Sequence, residues 1–386
     1  MRLRAGNRIT LLECGDQYFP ALIRAIDHAR QEIFLETHIF EEDATGRQVA
    51  RALIDAARRG VSVQLLVDGF GSRALPQALR EEMLDAGVRL MFFRPVASLR
   101  QVRRTRLRRL HRKLVVVDGR DGFCGGINII DDRNTPKQVP PRFDYAVHVQ
   151  GPLVAEMRSA MRRLWMRAAW SQLRRDWRPR GVVRREPAAA GSQRAALLVR
   201  DNLRHRHDIE DAYLSAIASA RSEVVIACAY FLPGVRFRRA LIAASARGVR
   251  VVLLLQGKVE YVLLHYSSRA LYRQLLEAGI EIHEYRQSFL HAKVAVVDRS
   301  WATVGSSNID PISFLLALEA NVVVEDSAFA QELRESLEAA MRNGARRVHP
   351  TAWRPPIAQR ALTWVVYWCV RLLVGLTGYA KRGEDV

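Results

Sequence analysis

The amino-acid sequence predicts an α/β fold, and predicts it twice along one chain. Three observations carry this expectation. Short Val-rich apolar runs alternate with Ala/Leu/Arg-rich stretches, the pattern of a sheet carrying helices. Six blocks of the first half recur in the same order in the second. One spaced motif, "HRKLVVVD" at 111–118, returns 180 residues later as "HAKVAVVD" at 291–298.

Taken in chain order, "QEIFLETHIF" (31–40) aligns with "SEVVIACAYF" (222–231), each reading as a strand. Helical stretches follow at 48–59 and 237–247, closed by Gly60 and Gly248 where a helix wants a left-handed residue. "RGVSVQLLVDG" (59–69) matches "RGVRVVLLLQG" (247–257), with strands at 63–67 and 251–255. "AGVRLMFFR" (86–94) matches "AGIEIHEYR" (278–286). After the two HxKxxxxD segments come "GGIN" (125–128) and "GSSN" (305–308), then "DYAVHV" (144–149) and "EANVVV" (319–324). The join falls in "DWRPRGVVRREPAAAGSQRA" (176–195), which has no apolar periodicity. The expected organisation is a first half at 1–180, a linker at 181–195, a second half at 196–345 and an apolar tail at 346–386.

A chain of 386 residues, about half of them hydrophobic, can bury a sizeable core, which excludes disorder for its bulk. Its formal net charge of +20 attracts polyanions, either nucleic acid or an anionic membrane surface. The four cysteines form neither a CxxC pair nor a zinc-like spacing, and no disulfide framework is expected. The first residues lack a signal-peptide core, so the catalytic portion is expected to be cytoplasmic.

Read as a strand, the motif projects His111 and Lys113 to one face, because residues two apart point the same way. The run 114–117 reads as a strand buried on both faces. The lysine supplies fixed positive charge and the histidine attacks or moves protons near neutral pH, a pairing suited to an anionic substrate. Seventeen residues separate His111 from Asn128, and seventeen separate His291 from Asn308. Matched spacing of that kind describes one site built twice.

HxKxxxxD followed by GxxN, twice in one chain, resembles the phospholipase D superfamily over roughly residues 20–340. The resemblance implies two phospholipase D-like halves, each a mixed sheet flanked by helices, related by a pseudo-twofold axis with one active site at their interface. It implies catalysis without metal or other cofactor. His111 is then the nucleophile, forming a phosphohistidine, and His291 the general acid and base. Lys113, Lys293, Asn128 and Asn308 hold the non-bridging oxygens. Asp144 and Glu319, at equivalent places in the repeat, orient the histidines. Asp118 and Asp298 complete the catalytic motif, with ion-pairing at the strand end as their alternative role. Ser306 and Ser307 replace Gly126 and Ile127, so a hydroxyl contact to phosphate, from Ser306, is available only in the second half.

Two features outside the motifs bear on the substrate. The tail "ALTWVVYWCVRLLVGLTGYAKR" (361–382) is nearly continuously apolar but interrupted by Arg371. A charge at mid-span disfavours a transmembrane helix, while Trp and Tyr suit the interface. The first half also carries twelve extra residues before its motif, within 95–110, including Arg100, Arg103, Arg104, Arg106, Arg108 and Arg109. Both favour an anionic phospholipid on a membrane surface as partner, with no nucleic acid expected. The layout, with "FCGGINI" (123–129) and "YFLP" (230–233), is similar to bacterial cardiolipin synthases, particularly the B type. This implies phosphatidyl transfer onto phosphatidylglycerol, from a second phosphatidylglycerol or from phosphatidylethanolamine, at the cytoplasmic face of the inner membrane by peripheral or interfacial attachment. A hydrolytic phospholipase D or a nucleic-acid phosphodiesterase of the same superfamily is the alternative.

Overall fold

The computed structural model describes residues 1–95, 109–135, 138–174, 177, 187–201, 205–258, 268–310 and 317–349. Most of the arginine-bearing insertion, at 96–108, and nearly all of the apolar tail, at 350–386, lie outside the described residues. No helix among the described residues is long and apolar enough to cross a membrane.

The first half runs β1 (Arg4–Glu13), α1 (Cys14–Asp27), β2 (Glu32–Thr37), α2 (Ala44–Arg58), β3 (Ser62–Asp68), α3 (Gln77–Asp85), β4 (Arg89–Phe93), β5 (Arg109–Leu110), β6 (Lys113–Val117), β7 (Asp121–Gly125), β8 (Arg142–Phe143), β9 (Tyr145–Gln150) and α4 (Leu153–Ser171). The second runs β10 (Gln193–Arg200), α5 (Asp208–Ser219), β11 (Glu223–Cys228), α6 (Val235–Ala246), β12 (Arg250–Gln256), α7 (Tyr272–Glu277), β13 (Glu281–Tyr285), β14 (Phe289–Leu290), β15 (Lys293–Val297), β16 (Trp301–Gly305), β17 (Ala317–Glu325), α8 (Ser327–Gly344) and β18 (Ala345–Arg347).

One mixed sheet spans both halves in the order β18-β13-β12-β11-β15-β16-β17-β10-β1-β9-β7-β6-β2-β3-β4, with β5 added to β17. The order reads alike outward from the β10–β1 junction in either direction, so a pseudo-twofold runs through that antiparallel pair. β2, β3 and β4 run parallel, and β6 lies antiparallel to β2. The linker expected at 181–195 is corrected at its end. Gln193 already opens β10, where Ala195 and Ala196 are buried between β1 and β17.

The Val-rich motif strands β6 and β15 are buried along their whole length. One face of β6 packs under α1, α2 and α3 through Val115 and Val117. The other, Leu114 and Val116, joins the core lined by α4 and α8. α2 forms where the sequence supplies a cap and an apolar face: Asp43 accepts from Gly46 N at 2.9 Å, and Val49, Ala50, Leu53 and Ile54 point inward. Gly60 ends it at φ +88° and Gly248 ends α6 at φ +87°. Each large helix is tied to its sheet by a buried, repeat-related ion pair, Arg158 with Glu32 and Arg334 with Glu223.

Candidate active site

Two very short strand pairings build the site. β5 pairs in parallel with the start of β17, Leu110 beside Leu318, and β14 pairs in parallel with β8, Leu290 beside Phe143. The next residue on each strand is a histidine or an acid. His111 N then donates to Leu318 O at 3.0 Å, and His291 N donates to Phe143 O at 2.8 Å. The outcome is a crossed arrangement. His111 Nδ1 donates to Glu319 of the second half, 3.0 and 3.1 Å from its two oxygens. His291 Nδ1 donates to Asp144 of the first half at 2.6 Å. With Nδ1 engaged on both rings, Nε2 is the nitrogen left for substrate.

The lysines precede their apolar strands and curl back. Lys113 Nζ donates to His111 O at 2.6 Å, and Lys293 Nζ donates to His291 O. Both lysines and both acids are almost fully buried, whereas the His111 and His291 side chains stay 20% and 12% exposed. The histidines are thus the part of the cluster that reaches the mouth. The asparagines sit where the GxxN turns leave β7 and β16. Asn128 Oδ1 accepts from Ile39 N at 3.1 Å, and Asn308 Oδ1 lies 4.0 Å from Cys228 Sγ. Both oxygens face donors, so each amide NH₂ is the end free to donate to an anion.

Burial sets the electrostatics. It holds His111 well below the ordinary histidine range, helped by Lys113 and Lys293. His291 is lowered likewise, by burial and then by Lys293, Arg142 and Lys113. Burial pushes Glu319 up to about 7 and Asp144 up to about 6, against the pull of the same lysines. Lys113 is pushed down to about 7, mainly by burial. Every charge here is costly, and an anionic phosphate facing the two ammonium groups would relieve that cost. Among the described residues, no group of three or more His, Cys, Asp or Glu is arranged to hold a metal ion.

The structure brings His111, Lys113, Asn128, Asp144, His291, Lys293, Asn308 and Glu319 to one place. It does not bring Asp118 or Asp298. Each lies beyond its strand, about 20 Å from its histidine at an extended rise. There Asp118 accepts the backbone N–H groups of Arg30, Gln31 and Glu32 at 2.7, 2.8 and 2.9 Å. Asp298 does the same for Arg221, Ser222 and Glu223 at 2.8, 2.8 and 3.0 Å. This corrects the expectation that the two aspartates are catalytic: each anchors the entry to a neighbouring strand. Ser306 is also corrected. It is fully buried, and its hydroxyl donates to Glu319 rather than facing substrate.

Sequence reasoning missed three features. His38 lies against His111 with ring centroids 4.9 Å apart, its Nδ1 bound to Leu110 O at 3.0 Å. Burial, together with His111 and Lys113, pushes it down to about 3, so it stays neutral. The repeat alignment held the clue, since His38 falls opposite Ala229. In the repeat, Gly126 stands opposite Ser306. A Cβ there would stand 2.4 Å from both Asp144 oxygens, so the glycine makes room for that carboxylate. Arg142, buried and stacked over Phe289, adds positive charge beside His291.

A family profile described as "Cardiolipin synthase, PLD-like domain" matches residues 22–165 and 213–341, well over half of the chain. The chain belongs to this phospholipase D-like cardiolipin synthase family. Within it, the chain is 42% identical over 348 residues to Cardiolipin synthase B of Escherichia coli, covering 90% of this chain and 84% of that one. It is 30% identical over 345 residues to Cardiolipin synthase 1 of Bacillus cereus, covering 86% and 67%. Among solved structures, phosphatidylserine synthase of Haemophilus influenzae shares the fold at TM-score 0.70 with 14% identity, over 95% of this chain and 94% of that one. A polyphosphate kinase of Porphyromonas gingivalis shares it at TM-score 0.57 with 15% identity, over 96% and 53%. Each family-profile segment carries one HxK motif, one GxxN turn and one acid of the crossed cluster, so the two matched segments each contribute half of it.

Proposed function

We propose that this chain makes cardiolipin by phosphatidyl transfer, with phosphatidylglycerol as acceptor. The observation that carries the chemistry is the crossed pair of histidines, each fixed through Nδ1 by a buried acid of the other half. Similarity to the cardiolipin synthases supports the choice of lipid.

In the first step His111 Nε2 attacks phosphorus of the donor phospholipid. The N–P bond forms as the bond to the headgroup oxygen breaks, and His291, which carries a second proton on Nε2 once the anionic phosphate and the Asp144 carboxylate both face it, gives that oxygen the Nε2 proton. The second step is the reverse with a new alcohol. The acceptor hydroxyl passes its proton to His291, its oxygen bonds phosphorus, and the bond to His111 breaks. Atoms balance: two molecules of phosphatidylglycerol yield cardiolipin and glycerol, while a phosphatidylethanolamine donor releases ethanolamine. Lys113, Lys293, Asn128 and Asn308 surround the equatorial oxygens, where charge accumulates in the transition state. Asp144 and Glu319, with Ser306 behind the latter, orient the rings and are positioning residues. The enzyme works at the cytoplasmic face of the membrane as a peripheral protein, on two halves at 1–180 and 193–347.

The test is incubation with headgroup-labelled phosphatidylglycerol in mixed micelles. Cardiolipin and free glycerol are expected in equal amounts. Phosphatidic acid as the only lipid product would make the chain a hydrolase. Cleavage of DNA with lipid untouched would remove the lipid assignment altogether.

A further inference from the structure

Six large hydrophobic side chains stand exposed among the described residues: Met1, Phe70, Leu84, Val139, Trp170 and Leu173. Four of them gather at one end of the sheet. β2, β3 and β4 run parallel and end at a common edge, where β6 begins with Lys113. Phe70 follows β3 there. Its N–H is held at 2.9 Å by Asp68, whose other oxygen holds Leu110 N, next to His111. Past the end of α4, Gln172 Nε2 donates to Phe92 O at 2.9 Å, which puts Trp170 and Leu173 at the same edge. Val139 follows Gln138, which accepts from Gln256 Nε2 at the end of β12. Gln256 Oε1 in turn holds Leu290 N, next to His291. Leu84, by contrast, closes α3 at the opposite edge, where β4 starts.

Cations are stacked among these groups. Arg73 and Arg109 lie over the Phe70 ring at 4.9 and 5.1 Å, Arg94 over Phe93 at 5.3 Å, and Arg174 over Trp177 at 4.6 Å. Single exposed hydrophobics are ordinary on a soluble surface. Four around one mouth, 41–80% exposed and interleaved with arginines, have the composition of a surface that rests in a lipid headgroup layer. A second copy of the same face would set arginine against arginine, which argues against self-association.

We infer that the end of the molecule bearing the histidine mouth, through Phe70, Val139, Trp170 and Leu173, lies on an anionic bilayer. This rests on the phospholipid reading above and gives it an orientation. A lipid then reaches His111 and His291 by rising from the headgroup layer rather than by crossing water. The membrane face belongs to the folded halves themselves.

The experiment is co-sedimentation of the full chain with vesicles of phosphatidylcholine alone or mixed with phosphatidylglycerol. The parent should bind the mixed vesicles and bind them more tightly than the neutral ones. Trp170→Ala/Leu173→Ala should lower the partition constant by about tenfold or more. Val139→Asp, on a separate loop, should weaken binding as well, while Leu84→Ala behaves as the parent. Thermal unfolding midpoints identify any variant lost to misfolding. Binding of both mouth variants within about twofold of the parent overturns the inference. So does an equal loss in Leu84→Ala, or a parent indifferent to phosphatidylglycerol. Because the readout is binding, its failure leaves the transferase reading standing, and a failed transferase reading leaves the measurement valid.

Discussion

His111 Nδ1 lies 3.0 Å from one carboxylate oxygen of Glu319 and 3.1 Å from the other, across 208 residues of sequence. The mirror pair, His291 with Asp144, is separated by 147. Each half therefore carries the histidine that the other half orients, and neither half contains a complete histidine–carboxylate pair.

Removing an orienting acid should act through its histidine. Glu319→Gln and Asp144→Asn should each lower kcat by about a hundred- to ten-thousand-fold, the scale seen when a catalytic imidazole loses its tautomer. Adding Glu319→Gln to His111→Ala should cost less than about threefold more, because the acid has no ring left to hold. A large additional loss would mean that Glu319 acts on substrate directly.

The perturbed groups also set the pH dependence. Lys113 is charged only below its value of about 7, so its pull on phosphate fades as pH rises through 7. Asp144 and Glu319 accept from their histidines only when ionised, that is above about 6 and about 7. Activity is therefore lost on both sides, and kcat/KM should trace a narrow bell near neutrality whose limbs belong to the coupled cluster. A profile flat from pH 5 to 9 would contradict this. Ser306→Ala removes the hydroxyl that helps keep Glu319 ionised, so the acid limb should move to higher pH.

Asp118→Ala and Asp298→Ala separate fold from chemistry. Each variant frees three backbone N–H groups and places alanine at φ 52° or 51°, a left-handed conformation it disfavours. Stability should fall by about 1–3 kcal/mol in denaturant unfolding, with kcat within about threefold of the parent. A thousandfold loss of kcat in a stably folded variant would return the aspartates to the active site.

The parts of this architecture that local chemistry dictates were legible in the sequence. The runs at 114–117 and 251–255 could only be buried strands, and the six recurring blocks gave the doubled fold. Asp144 and Glu319 were found because the repeat places them alike. Which acid holds which histidine was not legible, since that depends on the two-residue pairings of β5 with β17 and β8 with β14, contacts between distant segments. The roles of Asp118 and Asp298 stay open in the sequence, because spacing along a strand does not say which end faces the site. The pairs Arg158–Glu32 and Arg334–Glu223 were invisible for a related reason: an arginine on a helix looks solvated until its partner strand is placed beneath it.

Two glycines test whether the site's geometry, rather than backbone freedom, explains Gly126. At Gly60, φ is +88° and no atom lies within 4 Å of a built Cβ. Gly60→Ala should therefore cost about 1 kcal/mol of stability through backbone strain and leave kcat alone. At Gly126 the obstacle is the Asp144 carboxylate, 2.4 Å from the same Cβ through both oxygens. That carboxylate is fixed by Tyr145 N at 2.8 Å and His291 Nδ1 at 2.6 Å, so it cannot move aside without releasing one of them. Gly126→Ala should cost about a hundredfold or more in kcat, approaching the loss in Asp144→Asn. If Gly126→Ala turns over like the parent, Asp144 has room to shift and its hold on His291 does not set the rate.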